Sequence, residues 1–139
     1  MVADSAKRPA RGLIDTSVVV DLEHIDPARL PRELAISSLT LAELTAGPHA
    51  TSDPAERARR QDRLQRTEAA FDPLPFDADA ARAYGQIYSA VVSAGRKVRR
   101  PRAVDLLIAA SAMAEQIPLY TRNARDLLAL EDLVEIVEI

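Results

Sequence analysis

Short apolar runs separated by longer amphipathic stretches set the pattern of this chain. Residues 12–14, 34–37, 74–76, 118–121 and 134–139 are the apolar runs, each about the length of a buried strand. Between them, 39–46, 54–71, 77–94 and 102–115 read as helices. Gly47-Pro48 stops the first. Pro54 suits the first turn of the second, and Pro73 lies beyond its end. Asp77 is placed to cap the third, in which Ala81, Tyr84, Ile87, Tyr88 and Val91 recur at helical spacing. The fourth is apolar on two sides, as a helix packed against a sheet is. Strands alternating with helices predict an α/β domain built on a parallel sheet.

Composition narrows the chemistry. With 139 residues and 47% hydrophobic content, the chain suits one folded domain, with 1–11 expected as a flexible basic tail and 12–139 as the domain. The absence of cysteine excludes disulfides and thiolate metal sites, and two histidines, His24 and His49, argue against a histidine zinc site. No apolar core of a signal peptide and no membrane-length apolar run are present, so a soluble, cytoplasmic protein with no membrane partner is expected. The net charge of −3 argues against a general nucleic-acid coat, but the basic residues are clustered. Arg57, Arg59, Arg60, Arg63 and Arg66 read as a solvated helix face. Arg96, Lys97, Arg99, Arg100 and Arg102 form a second block, able to guide a phosphate backbone.

Open parallel sheets place their sites beyond the carboxyl ends of the strands. Asp15 follows the first strand and could simply cap a helix. Glu43 stands three residues after Thr40, the spacing of a capping box. Asn123 and Asp126 repeat that arrangement after the fourth run. Asp105 differs, because it sits in the apolar string AVDLLIAASAMA and shares a face with Ile108, Ala109 and Ala112. A carboxylate so placed needs a partner, either Arg102 three residues earlier or a cation in a site. Four acids gathered at one sheet edge repel each other and want a cation, and an all-oxygen ligand set selects Mg²⁺ or Mn²⁺.

The segments LIDTS at 13–17, ISSLTLAEL at 36–44, RAVDLLIAASA at 102–112 and LYTRNARDL at 119–127, in this order, resemble the PIN domain, specifically the VapC-type ribonuclease toxin of toxin–antitoxin operons. The resemblance implies a three-layer α/β/α fold with a five-stranded parallel sheet. It implies that Asp15, Glu43, Asp105 and Asp126 are the catalytic, metal-holding acids, for one or two Mg²⁺ or Mn²⁺ ions. Ser17, Thr121 and Asn123 would be supporting polar residues. The reaction would be endonucleolytic hydrolysis of RNA, leaving a 5′-phosphate and a 3′-hydroxyl. Leu127 departs from the Phe that is commoner after the final acid. A homodimer held by a cognate VapB-type antitoxin is expected, and residues 96–102 could grip the RNA backbone. A receiver domain is disfavoured by the lack of an early acidic pair and of a lysine after the last strand. A catalytically inactive PIN-fold module that binds RNA or protein is the alternative.

Overall fold

A computed structural model describes residues 10–95 and 102–139. Its strands are β1 (Arg11–Ile14), β2 (Glu33–Ala35), β3 (Leu119–Thr121) and β4 (Ile136–Glu138), paired in parallel in the order β2-β1-β3-β4. The helices are α1 (Thr16–Val19), α2 (Ser38–Ala46), α3 (Pro54–Ala70), α4 (Ala78–Ser93) and α5 (Ala103–Glu115).

Successive residues of a strand face opposite sides of the sheet, and that rule divides the core in two. Leu13, Ala35 and Leu119 pack with Ala83 and Ile87 of α4 and with Leu106, Ile108 and Ala109 of α5. Ile14, Ile36 and Tyr120 face the other way, toward Val18 and Val19 of α1, Leu44 of α2 and Leu64 of α3. Helices therefore cover both faces, which is why all three strands that carry these residues are apolar on both sides.

The run at 74–76 corrects the expected five strands. Four strands pair among the described residues, and Leu74 makes only an isolated parallel bridge to Ser37, beyond the edge strand β2. Leu74 N–H donates to Ile36 O at 2.9 Å, and Ser38 N–H donates to Leu74 O at 2.8 Å. The segment it pairs with turns into α2 at Ser38, so the ladder cannot continue past it.

Helix ends follow local chemistry. Asp77 accepts from Ala80 N–H at 3.0 Å to start α4, and Asp53 accepts from Ala55 N–H at 3.4 Å just before Pro54. The start of α2 departs from expectation. Ser37, not Thr40, is its cap, with Ser37 Oγ accepting from Leu39 N–H at 3.0 Å. Thr40 is instead fully buried inside the helix, which frees Glu43 from a capping box. Past Gly47 the chain continues as a 3-10 turn, Gly47–Ala50. None of the described helices is long and apolar enough to cross a membrane.

Candidate active site

Because the strands are parallel, Asp15, Ser37 and the segment after Thr121 all leave the sheet at one edge. Asp15 leaves β1 in extended conformation and caps α1: its Oδ1 accepts from Val18 N–H at 3.2 Å and from Ser17 Oγ at 2.6 Å. Its own N–H donates to Tyr120 O at 3.1 Å, locking it to β3. Only 7% of Asp15 is exposed. Burial pushes its carboxyl above the usual range, hydrogen bonds from Ser17, Thr121 and Val18 pull it down, and the negative charge of Asp105 adds to the rise.

The supporting polar residues gather around it. Ser17 Oγ donates to Asp15 and accepts from Arg122 N–H at 3.1 Å, so one hydroxyl joins the starts of two loops. Thr121 is fully buried, and its Oγ1 accepts from Asn123 N–H at 3.0 Å. Asn123 precedes the 3-10 segment Ala124–Leu130 without a side-chain cap bond.

Asp105 lies in the first turn of α5, not deep in a helix interior as the apolar string suggested. An acid there is favoured by the helix dipole. Its neighbours Ile108, Ala109 and Ala112 are fully buried, and Asp105 itself is half-buried. The Arg102 partner is present too, and it does more than pair along the helix. Arg102 Nη2 is 2.9 Å from Glu43 Oε2 and 3.3 Å from Asp105 Oδ1, and Nε is 3.4 Å from Asp105 Oδ2. One guanidinium thus bridges carboxylates from α2 and α5. Glu43 Oε1 also receives the Thr16 hydroxyl, which lies 3.0 Å from the Thr40 hydroxyl.

Asp126 is half-buried in the first turn of Ala124–Leu130, its N–H 3.1 Å from Asn123 O. Asp15 and Asp105 are therefore electrostatic neighbours, and Asp105 and Glu43 share a cation. Among the described residues, however, no three acids or histidines stand close enough to hold a metal as they are. Arg96, Lys97, Arg99 and Arg100 lie outside the described residues.

The α3 arginines were expected to be a solvated face, and several are. Arg59 and Arg60 both reach Glu56 at 2.8 Å, Arg66 reaches Asp62 at 3.0 Å, and Arg57 donates to Pro48 O and Thr51 O. Yet Arg60 and Arg63 also line a groove of about 490 Å³ whose other walls include Thr16, Ser17, Glu43 and Arg102. Sequence reasoning missed this. The available signal was the three-residue spacing of Arg60 and Arg63, which puts them on one helix face.

Comparison with known families matches residues 12–133 to the PIN domain. The chain belongs to the PIN-domain family. Within that family it is VapC-type. Ribonuclease VapC5 of Mycobacterium tuberculosis is 36% identical over 118 residues, spanning 83% of this chain and 84% of the relative. The VapC ribonuclease Y4jK of Sinorhizobium fredii is 29% identical over 123 residues, spanning 80% and 86%. Among solved structures, VapBC-5 of M. tuberculosis, a member of the VapBC family of toxin–antitoxin systems, superposes with a TM-score of 0.80 at 36% identity, covering 94% of this chain and 100% of that one. VapBC2 of Rickettsia felis, bound to promoter DNA, shares the fold with a TM-score of 0.73 at 23% identity, covering 93% and 98%. Asp15, Glu43, Asp105 and Asp126 all lie within the matched span.

Proposed function

We propose that this chain is the ribonuclease component of a toxin–antitoxin pair, an endonuclease that hydrolyses RNA phosphodiesters with the help of Mg²⁺ or Mn²⁺. The observation that carries the reading is Asp15, a carboxylate kept 7% exposed and held near the charge of Asp105. Two neighbouring acids, one of them buried, are accommodated either by a proton or by a compensating cation. Arg102 supplies a cation between Glu43 and Asp105, and among the described residues no basic group is an influence on Asp15. The named relatives, a ribonuclease VapC5 and a VapBC-5 complex, support the same reading.

The donor set fits a hard divalent ion: oxygen ligands only, from Asp15 and Asp105 directly, with Glu43 and Asp126 acting directly or through water. When bound, such an ion lowers the pKa of water and stabilises charge on the phosphoryl group. The chain's residues do the rest. Ser17, Thr121 and the Val18 amide orient the Asp15 carboxylate through hydrogen bonds. Thr16 fixes Glu43 at the mouth of the groove, where it can position the attacking water. Thr121 holds the Asn123 amide and so fixes the turn that carries Asp126. Arg102, now on Glu43 Oε2 and Asp105 Oδ1, would compete with a bound cation for those oxygens.

A VapB-type antitoxin is the natural partner, a homodimer the expected assembly and the cytoplasm the expected location. The deciding experiment incubates the purified chain with single-stranded and structured RNA in Mg²⁺, Mn²⁺ or EDTA, beside Asp15→Asn and Asp105→Asn. Metal-dependent cleavage, reduced at least ~100-fold by each substitution in a folded protein, is expected. Cleavage that survives in EDTA, or full activity of Asp15→Asn, sinks the mechanism. RNA binding without any cleavage would instead favour the inactive PIN-fold module.

A further inference from the structure

Five arginines lie on α3, and the structure disposes of them unequally. Arg57 is spent on backbone carbonyls at Pro48 and Thr51, Arg59 on Glu56, and Arg66 on Asp62 and Glu23. Arg60 is held on two sides, Nε donating to Glu56 Oε2 at 2.8 Å and Nη1 to Gly47 O at 2.9 Å. A guanidinium has five N–H donors in a fixed fork, so Arg60 is anchored with donors to spare. The guanidinium of Arg63, three residues on and half-buried, has no hydrogen bond or ion pair among the described residues, only its backbone carbonyl accepting from Thr67 Oγ1. Of the acids on its own helix, Glu56, Asp62 and Glu68, the first two are already engaged by its neighbours.

Both arginines line the groove of about 490 Å³ that runs to Thr16, Ser17 and Glu43. The groove thus holds two ion pairs, Glu43 with Arg102 and Glu56 with Arg60, and beside them Arg63 with its donors unspent. A half-buried guanidinium without an acid partner is matched best by an anion that accepts two parallel hydrogen bonds, as a phosphodiester does. An RNA strand that reaches the carboxylates beyond Glu43 is repelled by their charge, and an unpaired cation in the same groove offsets the repulsion and sets where the strand lies.

We infer that Arg63, with Arg60 as its anchored neighbour, forms a phosphate-holding wall that seats the backbone of single-stranded RNA in the groove beside the acidic site. These are positioning residues, and the assignment rests on the ribonuclease reading above for the identity of the strand. A protein partner presenting acidic side chains is the competing occupant. RNA is favoured because the groove holds Glu43, one of the carboxylates proposed to act on it, together with Ser17, which donates to Asp15.

The test separates binding from cleavage. In an Asp15→Asn background with EDTA, fluorescence anisotropy follows a labelled single-stranded RNA of mixed sequence across a salt series. Arg63→Ala and Arg63→Gln should each weaken binding about tenfold, and the slope of log K against log salt should shrink by about 0.7, the value for one phosphate contact on a single strand. Arg59→Ala, with the same charge change on the same helix but outside the groove, should do neither. In the otherwise unaltered chain, Arg63→Gln should raise KM for RNA while kcat stays within about twofold. Thermal melts of both Arg63 variants should match the parent.

Unchanged affinity in both Arg63 variants overturns the inference. So does an equal loss in Arg59→Ala, which would reduce the effect to net charge, and so does an Asp15→Asn protein that binds no RNA. Weakened binding of an antitoxin with RNA binding intact would assign the wall to a protein partner instead. If Arg63 governs RNA binding but the unaltered chain cuts nothing in Mg²⁺ or Mn²⁺, the nuclease reading fails and the phosphate wall stands.

Discussion

Asp15 carries two duties that pull against each other. As a helix cap it accepts from Val18 N–H and Ser17 Oγ, and those bonds favour the charged carboxylate. As a buried acid beside Asp105 it is pushed toward the neutral form, and burial is the largest influence. A carboxyl raised in the folded state binds its proton more tightly there than in the unfolded chain. Charged Asp15 therefore costs stability, fully above the raised value and not at all well below the ordinary carboxylate range near 4. In EDTA, Asp15→Asn should raise Tm by a few degrees at pH 8, since Asn caps helices as well as Asp does. The gain should fade as pH drops through the raised value toward about 4. A lower Tm than the parent at pH 8 would show that the capping bonds outweigh burial.

At the scale of elements, the site depends on how closely β1 and β3 pack. The sequence run 12–14 identified β1 from its apolar character, but not why Gly12 stands second in the strand. A Cβ on Gly12 would lie 2.6 Å from Tyr120 Cε1 and 2.9 Å from Pro31 Cγ. Tyr120 is 2% exposed, and its carbonyl receives the Asp15 amide. Gly12→Ala should therefore cost about 1–3 kcal/mol through overpacking, read as a lower urea midpoint at unchanged m. Because Tyr120 must shift, nuclease activity should fall as well. Helix positions were legible from period and caps, as α4 behind Asp77 shows. The start of α2 was misread because Ser37 and Thr40 are both good caps, and only the chain path shows which one is buried.

Across the whole molecule, charge and topology are joined by Arg102. It ties α2 to α5 through Glu43 and Asp105, with its side chain 65% exposed, so its contribution to stability is modest. Its contribution to cation binding is larger, because it competes for two of the four acids. Arg102→Gln should lower Tm slightly in EDTA, by about 1–3 °C. It should also tighten Mn²⁺ binding several-fold in calorimetry, so that Mn²⁺ raises Tm more than it does in the parent. Weaker Mn²⁺ binding in the variant would mean that Arg102 orders the carboxylates for the metal and does not compete with it.

The chain by itself determined its strands, its helices and the acids that reach one sheet edge, because period, caps and strand order are local or nearly local properties. The nearness of Asp15 to Asp105 follows from that order once the sheet is parallel. Tertiary structure decided the rest. It cut the strand at 74–76 to a single bridge, since the neighbouring segment leaves the sheet for α2 at Ser38. It also set Arg102 against Glu43, 59 residues away, and turned Arg63 into the groove. No sequence period encodes contacts across such separations, because they exist only after the layers have packed.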